Sequence, residues 1–491
     1  MSLEAAPRTY GNWRRARGFG IGRLGPGQSL TLFVAVMVPI MLAYVSAQVA
    51  LIAALISALI LVAVLVKVGG QSLSDVVIRR IRFSRSRSAG WHELSGGMLT
   101  DHPRRHDLPG PMAPLVPLST DDGRGGKQGL LWDRRTGWLT AVVRVSPVGL
   151  DLADRAQADA WVASWGAFLA DLGYQRMVRH IAVTVDTAPS GGTTLRDYVS
   201  SRLDPSAPQA AHDVMAELVD ATPATSADVD TRVAITFDPS RATPRPQDLM
   251  EAVAEVTRWL PGLEASLSMA GVAVLGRATA AWLTGRLRIA YDPASRGDVT
   301  RLPSGDSELL IWGEAGPIRA NEAWDHWRHD SGISVAWALS EAPRQAVVDR
   351  VLTPLLAPGP FPRRVTMLYE PYSAGAAADE VEREITNTQV RRAWAKRTKR
   401  DETQRERDDF ARALQSAREE AEGAGVGRFC LYVSTTVARE ELVPAATADV
   451  EQRAGQSKLR LRRLRGAQMA GFAAALGFGL DPVELARRAR R

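Results

Sequence analysis

The N-terminal part of the chain contains one long apolar run. No charged residue occurs from Gly25 to Val66, and the apolar core of this run, from Leu30 to Val66, is 37 residues long. One helix crosses a bilayer in about 20 residues, so this core is too long for a single crossing and suits two helices of about 18 residues. Polar residues between Tyr44 and Gln48 place a turn near its middle. The pattern predicts a transmembrane helical hairpin over residues 29–67.

A cleaved signal peptide is the alternative interpretation of this run. The apolar core of a signal peptide is only about 7–15 residues long. Val45-Ser46-Ala47 resembles a cleavage triplet, but apolar sequence continues beyond it. The length therefore favours the retained hairpin.

Basic residues lie on both sides of the hairpin. They are Arg8, Arg14, Arg15, Arg17 and Arg23 before it, and Lys67, Arg79, Arg80, Arg82, Arg85 and Arg87 after it. Because positive flanks stay in the cytoplasm, both termini are expected there, as an even number of crossings requires. The sequence thus predicts a multi-pass protein of the cell membrane. The candidate residues for contact with membrane lipid are Arg14, Arg15, Arg23, Lys67, Arg79, Arg80 and Arg82.

Residues 71–88 allow two interpretations. They can form a helix on the lipid headgroups, with Val76, Val77, Ile81 and Phe83 toward the lipid and the arginines on anionic groups. They can equally form a solvated basic linker. The residues alone leave both interpretations open.

The chain beyond residue 128 alternates between strands and helices. Residues 129–290 contain, in chain order, strand Trp138–Val145, helix Asp154–Leu172, strands His180–Val185 and Val233–Phe237, helix Leu249–Leu260 and strand Ala265–Leu275. Runs of β-branched and apolar residues mark the strands, and apolar residues at helical spacing mark the helices. The order is that of the ferredoxin-like, split βαβ arrangement.

A second α+β unit is predicted over residues 291–482. Its strands are Ile333–Leu339, Arg364–Tyr369, Gly427–Val437 and Leu459–Arg465. Between the second and third strands lies a long charged helix, 377–422, whose middle, Lys396–Asp409, has no apolar residue. Such a segment must project into water or pair with another protein. The candidate partner-contacting residues are Lys396, Arg397, Lys399, Arg400, Arg405 and Arg407.

The whole chain is therefore predicted as an α+β protein with an N-terminal transmembrane hairpin. Its segments are a basic cytoplasmic N-terminus (1–28), the hairpin (29–67), a basic segment with a Pro/Gly-rich connector (68–128), the ferredoxin-like domain (129–290), the second α+β domain (291–482) and a basic tail (483–491).

The composition fits a folded protein near an anionic surface. Hydrophobic residues make up 45% and charged residues 23% of the 491 positions, which excludes the disordered and fibrous classes. The net charge of +7 fits a membrane surface or nucleic acid. The single cysteine, Cys430, excludes an internal disulfide and a Cys-rich metal site.

The sequence lacks the motifs of common catalytic sites, so neither an enzyme activity nor a cofactor is predicted. Gly126-Lys127 lies in DGRGGKQG, where Asp121 replaces the first glycine of a P-loop and Gln128 replaces its hydroxyl residue. His326 and His329 are three residues apart, but a zinc site needs further ligands. A catalytic pair assembled from distant residues stays open.

Two basic stretches are candidates for contact with nucleic acid, Lys396–Arg400 and Lys458–Arg465. In the second, leucines alternate with arginines, which is typical of a half-buried strand with a basic outer face. Direct contact with nucleic acid is therefore disfavoured but stays open.

Four segments of the C-terminal half share a pattern with a known family. They are FPRRVTMLYEP (Phe361–Pro371), the charged helix after it, GRFCLYVSTTV (Gly427–Val437) and RLRRLRGAQMAGFAAALGFG (Arg460–Gly479). This half resembles the N-terminal, non-ATPase portion of the large ATPases of type IV secretion (conjugation) systems. The positions that match the family pattern are Arg363, Arg364, Gln468, Phe472 and Leu476.

The N-terminal hairpin is similar to the small two-helix, PrgI-like membrane subunit of the same systems, and the whole resembles a fused version from actinobacterial mobile elements. The motor domain of the ATPase family would follow Gly479, and the sequence holds no P-loop. The resemblance therefore implies a non-catalytic scaffold, part of an oligomeric complex, that docks a separate type IV secretion ATPase to channel subunits. The alternatives are a membrane component of another exporter, such as a type VII-like one, and a membrane-tethered enzyme with an unrecognised site.

Overall fold

The structure, a computed structural model, describes residues 10–11, 26–68, 71–96, 107–149, 153–189, 199–200, 202–221, 227–302, 310–343, 345–397 and 404–488. Within these ranges, most strands form one large antiparallel sheet that helices cover, which confirms the predicted α+β class. The N-terminal elements are α1 (Pro26–Ala43), α2 (Ala47–Leu65), β1 (Lys67–Val68), β2 (Gln71–Ser72) and α3 (Leu73–Ser88). The strands β1 and β2 form a separate two-stranded ribbon.

The large sheet is built from the remaining strands. After β3 (Glu93–Ser95), its first half contains β4 (Leu115–Asp121), β5 (Lys127–Asp133), β6 (Trp138–Pro147), α4 (Arg155–Asp171), β7 (Val178–Pro189), α5 (Gln209–Ala221), β8 (Ala227–Phe237), α6 (Leu249–Met269), β9 (Val272–Arg277), α7 (Ala280–Tyr291) and α8 (Arg296–Arg301). Its second half contains β10 (Arg319–Glu322), β11 (Trp327–His329), β12 (Gly332–Glu341), α9 (Thr353–Leu356), β13 (Arg363–Pro371), α10 (Ala374–Arg397), α11 (Gln404–Ala421), β14 (Gly427–Val437), α12 (Val443–Gln456), β15 (Arg460–Arg463), α13 (Gln468–Ala475) and α14 (Pro482–Arg488).

The strands lie in the order β3-β10-β11-β12-β14-β13-β7-β8-β6-β5-β4, with β15 also paired to β12 and β9 to β6. The two halves repeat one arrangement. Along the chain the first runs β6-α4-β7-β8-α6-β9 and lies in the order β9-β6-β8-β7. The second runs β12-α9-β13-β14-α12-β15 and lies in the order β15-β12-β14-β13. An approximate two-fold axis therefore relates the halves.

The strands β7 and β13 join the two halves at this axis. Their register places Thr184 opposite Thr366, and the two hydroxyl oxygens are 2.9 Å apart. Strands on both sides of the predicted boundary between 129–290 and 291–482 thus belong to one sheet. Helices cover both faces of this sheet. One face carries α4, α6 and α12, and the other carries α7 and the segment from α13 to Leu480.

The expected Pro/Gly-rich connector is wrong over part of its length. Residues 115–121 form β4, which pairs with β5, and Leu108, Met112 and Leu115 are buried. An outer strand can leave backbone N–H positions unpaired, so Pro117 is compatible with β4. Proline content alone therefore gave the wrong assignment here.

The expected strand Ala265–Leu275 is wrong in its first part. The helix α6 continues through it, because Leu263 and Leu267 keep the helical spacing and are buried. Gly271, with φ of 75°, lies just beyond the helix, and β9 follows directly. Glycine at this position allows the left-handed conformation that often ends a helix.

The expected single helix over 377–422 is also wrong, because two helices, α10 and α11, pack against one another. Ala377 and Val381 on α10 and Ala413 on α11 are buried. The middle of the stretch has no apolar residue, so a continuous helix there would bury no apolar face. Tyr372 N donates to Val426 O at 2.9 Å, so this excursion leaves and rejoins the sheet at one point.

Candidate functional site

The helices α1 and α2 expose an apolar surface. They pack against one another, yet Leu51, Leu55 and Leu59 on α2 are 65–73% exposed. A contiguous exposed apolar surface marks a membrane or protein contact. Among the described residues, α2 alone is long and apolar enough to cross a membrane, while the apolar part of α1, Leu30–Ala43, is shorter. The predicted second crossing therefore stays a prediction.

The chain before α1 contacts the folded part of the protein from β3 to α14, which is named the body from here on. Tyr10 N donates to Val347 O at 2.7 Å, and Val347 N donates to Tyr10 O at 2.8 Å. Val347 lies between β12 and α9. Segments on either side of the two apolar helices therefore touch each other.

The helix α3 follows α2 directly and is strongly basic. Leu73 N donates to Val66 O at 2.9 Å, and the Ser72 hydroxyl caps the helix by accepting from Asp75 N at 3.3 Å. Its basic residues are Arg79, Arg80, Arg82, Arg85 and Arg87. Val77, Ile78 and Ile81 are exposed by 46–55%. A basic amphipathic helix with an exposed apolar stripe is typical of a membrane-surface segment.

One side of α3 packs against Trp324, which lies in the β10–β11 connection. The Phe83 ring meets it edge-on at 5.4 Å between centroids, and the Arg80 guanidinium lies 4.8 Å from its centroid. On the β15 side, Gly466 N donates to Trp324 O at 2.7 Å. A Cβ at Gly466 would come within 2.5 Å of the indole ring. The prediction that Phe83 faces lipid is therefore wrong, since Phe83 is buried against the protein.

The predicted lipid-contact residues fall into three groups. Arg14, Arg15 and Arg23 lie outside the described residues. Lys67 lies in β1, next to the end of α2. The remaining three share one helix: Arg79 is half-buried, and Arg80 and Arg82 are exposed.

The pair α10 and α11, here named the arm, extends from the β13–β14 connection. With 24 residues in α10, the arm is about 36 Å long. Its buried and half-buried residues form one stripe on each helix, so the pair is held together by its own contacts. Of the predicted partner-contacting residues, Lys396 and Arg397 end α10, Arg405 and Arg407 begin α11, and Lys399 and Arg400 lie outside the described residues. The described members therefore gather at the end of the arm farthest from the sheet.

A buried ionic network lies at the centre of the sheet. Arg364 Nε donates to Asp186 Oδ2 at 2.8 Å, and Arg232 donates to Asp230 at 2.5 Å and to Leu476 O at 2.8 Å. Burial alone would raise the pKa of Asp186, but Arg364 and Arg232 outweigh burial and hold this pKa below its ordinary value. The network joins β7, β8 and β13, so its charges tie the two halves together.

The segment from α13 to Leu480 covers this network. The Gln468 side chain accepts from Ala336 N at 2.7 Å, and the Phe472 ring lies 5.8 Å from the Arg364 guanidinium. Four of the five positions that carry the family resemblance therefore converge on one face of the sheet. The fifth, Arg363, lies on the other face, where it pairs with Asp449 at 3.0 Å. These side chains hold the fold together.

The histidines considered as zinc ligands do not form such a site in the part of the chain that the structure describes, where no group of three metal-ligand side chains occurs. His329 is buried, with Nδ1 2.5 Å from Tyr291 O and Nε2 2.7 Å from Ser334 Oγ. Burial lowers its pKa to about 4, so the ring is neutral at pH 7. His326 instead lines an open cavity of about 350 Å³ together with Arg319, Asn321, Arg328 and Asp330.

The glycine-rich loop with Gly126-Lys127 is a hairpin turn between β4 and β5. The Asp122 carboxylate accepts from Arg124 N at 2.7 Å and from Gly126 N at 2.9 Å. These two hydrogen bonds lower the pKa of Asp122. A side-chain carboxylate thus occupies the amides that would have to cradle a phosphate.

The basic strand near the C-terminus is β15, as its alternating pattern predicts. Leu459 before it is buried, while Arg460 is 72% exposed and lies 3.7 Å from Glu341. Arg463 lies 3.7 Å from Asp325. Neighbouring carboxylates thus offset part of this positive charge, which weakens the case for nucleic acid on this strand.

Comparison with known proteins assigns no family to this chain. No protein-family model matches it, and no curated protein matches its sequence. The α3 surface, the Trp324 contact and the arm therefore remain the candidate functional features, on their geometry alone.

Proposed function

We propose that this protein is a non-catalytic scaffold, anchored in the membrane, that docks a separate motor ATPase to the channel of a type IV secretion-like (conjugative) apparatus. The observation that carries the proposal is a membrane-length apolar helix and a protruding charged arm on one body. The family resemblance, with its long helical excursion after the Arg-Arg strand, supplies the identity of the apparatus. The body between anchor and arm would act as the spacer.

In this proposal α1 and α2 both cross the membrane and both termini are cytoplasmic. The contact between Tyr10 and Val347 supports an even number of crossings, because residues before α1 lie against the body that follows α2. Arginines on both flanks favour the same orientation. The absence of charge from Gly25 to Val66 allows α1 to lie in the bilayer beside α2.

Each half of the sheet is proposed to be a ferredoxin-like unit. The strand orders β9-β6-β8-β7 and β15-β12-β14-β13 support this, since both follow the split βαβ pattern along the chain. Two such units joined edge to edge make a rigid platform. This fold hosts many functions, so the docking role rests on the arm and the anchor.

The far end of the arm is proposed to contact the ATPase. The sequence there mixes positive and negative residues, and no apolar residue occurs between Lys396 and Asp409. A mixed-charge surface suits a partner with a complementary charge pattern, which gives specificity and speeds association. The arm's length of about 36 Å would hold the partner clear of the sheet.

Co-purification tests the docking role. The full chain, expressed with the ATPase encoded by the same genetic element, is expected to recover that ATPase from detergent extracts. The variant K396E/R397E/R405E/R407E is expected to lose at least about tenfold of the recovery, since opposed charges replace complementary ones. The matched control reverses four exposed arginines on the body: Arg155, Arg245, Arg350 and Arg439. Equal recovery with both variants, or none with the native chain, contradicts the proposal.

The two-pass topology is tested by labelling the N-terminus. Ser2→Cys, in a chain whose native thiol is removed by Cys430→Ser, is expected to resist a membrane-impermeant maleimide in intact cells and to react after permeabilisation. Reaction in intact cells would place the N-terminus outside and overturn the two-pass arrangement.

A further inference from the structure

The helix α3 has two sides of opposite character. Successive residues on a helix are about 100° apart, so Ile81 lies about 200° and Val77 about 240° from Phe83. Phe83 is buried against Trp324, whereas Val77, Ile78 and Ile81 are exposed. The apolar stripe therefore points away from the body that holds the helix.

Arginines border this stripe on both sides. On the same helical projection, Arg82 lies about 40° beyond Ile78 and Arg80 lies about 60° from Val77, while Arg85 falls between Ile78 and Ile81, one turn beyond Ile81. The helix carries five arginines and a single acidic residue, Asp75. An exposed apolar stripe with cationic borders complements a surface that is apolar below and anionic above.

We propose that the outward side of α3 binds the anionic surface of the bilayer, with Val77, Ile78 and Ile81 between the headgroups and Arg82 and Arg85 against lipid phosphates. This inference rests on the proposed anchoring and adds the lipid class that the anchor region recognises. The start of α3 is hydrogen-bonded to the end of α2, through Leu73 N and Val66 O, so α3 begins where the membrane helix ends.

Trp324 fixes which side of α3 meets the lipid. Phe83 and Arg80 both contact its ring, and Gly466 allows the indole to lie against the turn that follows β15. Rolling α3 to hide its apolar stripe would break these contacts. The lipid-binding side is therefore set by the body and does not need to be selected by the membrane.

A nucleic-acid duplex is a poorer occupant of this surface. Phosphate contacts would use the arginines but leave Val77, Ile78 and Ile81 in water. A bilayer surface satisfies both sets of side chains. We therefore commit to anionic lipid, and a protein occupant is one of the outcomes that the experiment separates.

The experiment reports the surroundings of position 78 in the full chain. Ile78→Cys, in the Cys430→Ser background, carries an environment-sensitive NBD fluorophore, and the protein is placed in nanodiscs. The discs contain phosphatidylcholine alone or with roughly a third phosphatidylglycerol, because each arginine near an anionic surface adds about 1 kcal/mol, or about fivefold in the bound-to-free ratio. We expect a blue-shifted and stronger emission only in the anionic discs, and a loss of the shift at high salt.

Matched variants show which residues cause the lipid-dependent shift in emission. R82Q/R85Q is expected to abolish the lipid-dependent shift, whereas R155Q/R439Q, which removes two exposed charges elsewhere, keeps it. A label at Ala411→Cys, exposed on the arm, is expected to show no lipid dependence. Trp324→Ala is expected to weaken the shift, and Trp324→Phe to retain most of it.

The outcomes separate this inference from the anchor itself. A chain that does not enter nanodiscs contradicts both. A chain that enters them with the same emission from both compositions overturns the anionic-lipid inference only. A label that stays shielded in both disc compositions and at high salt, with cross-links from position 78 to a second protein chain, indicates a protein occupant and also overturns it.

Discussion

At the scale of single residues, the centre of the sheet depends on charges that are buried together. Arg232 is 1% exposed and Asp186 lies between it and Arg364. Burying an ion pair is costly, but removing one partner costs more, because the other charge then stays buried without compensation. The network is therefore a sensitive point of the fold.

Asp186→Asn is expected to destabilise the protein by about 3–5 kcal/mol at pH 7, because Arg364 and Arg232 lose their shared carboxylate. The lowered pKa of Asp186 means that its stabilisation is complete above the ordinary aspartate pKa and is lost as pH falls through the lowered value. The free energies of unfolding of the native chain and the variant, measured with denaturant, should thus approach each other as the pH falls below about 4.

The control for this prediction is Asp298→Asn, since the Asp298 side chain is 84% exposed. That change is expected to leave the unfolding midpoint unchanged. A similar loss in both variants would mean that the network is not what stabilises the sheet.

His329 predicts a second pH effect. Burial lowers its pKa from 6.5 to about 4, so between these values the unfolded chain binds a proton that the folded chain does not. Stability should therefore fall by about 3 kcal/mol as pH drops through this range. His329→Gln is expected to make the pH dependence shallower in unfolding experiments.

His180 accounts for the pH dependence of stability that remains in His329→Gln. Burial also lowers the pKa of His180, which therefore acts in the same direction. An unchanged slope in His329→Gln would show that His329 is already protonated in the folded protein.

At the scale of elements, the arm is stabilised by contacts within itself. Ala413 is fully buried in α11, where a larger side chain has no room. Ala413→Leu is expected to weaken the α10–α11 contact by about 1–3 kcal/mol and to speed amide exchange in both helices by about 5- to 150-fold. Exchange followed by mass spectrometry, peptide by peptide, measures this.

The comparison for the arm is Ala411→Leu, at an exposed position two residues away. This change is expected to leave exchange unchanged. Faster exchange in β13 and β14 as well would mean that the arm and the sheet unfold as one unit.

How well each element could be predicted depended on how local its signal is. The strand predicted over Gly427–Val437 matches β14, because its continuous apolar run from Phe429 to Val433 is typical of a strand buried on both faces. The helix predicted over Asp154–Leu172 matches α4 within one residue at each end. β4 was missed because its proline, Pro117, is acceptable only at an outer position of a sheet, and position in a sheet is not a local property.

The residues of the candidate sites also differ in this respect: some carry a local signal in the sequence and others do not. Counting arginines beside an apolar run places Arg79, Arg80 and Arg82 in one basic segment, since flanking charge is read directly from the chain, and their contact with lipid stays a prediction. The contact of Phe83 with Trp324 joins residues 241 positions apart, and the network joins β7, β8 and β13. No spacing rule links such positions, so only the fold reveals them.

At the scale of the whole molecule, the segment from α13 to Leu480 closes the face of the sheet where the halves meet. A chain ending after Ala467 loses Phe472 and Phe478 from the core and the Leu476 carbonyl from Arg232. Removing one buried Phe side chain costs about 3–5 kcal/mol, and total stability is only about 5–15 kcal/mol. This truncated chain is expected to aggregate on extraction.

A chain ending after Arg488 keeps this segment and serves as the control. It is expected to elute as a single peak in size-exclusion chromatography at the same yield as the full chain. A soluble, cooperatively unfolding protein that ends after Ala467 would show that the covering segment is dispensable.

The joining of β7 to β13 has a consequence for symmetry. Cut apart, each half would expose an edge of 12 or 9 residues with open hydrogen-bonding groups, a template for self-association. One polypeptide makes that association intramolecular, at a high effective concentration. A homodimer of identical halves would have to carry the same connection between these strands on both sides of the axis. Covalent linkage removes that constraint, so one side carries α5 and only the other carries the arm, which gives the platform a direction.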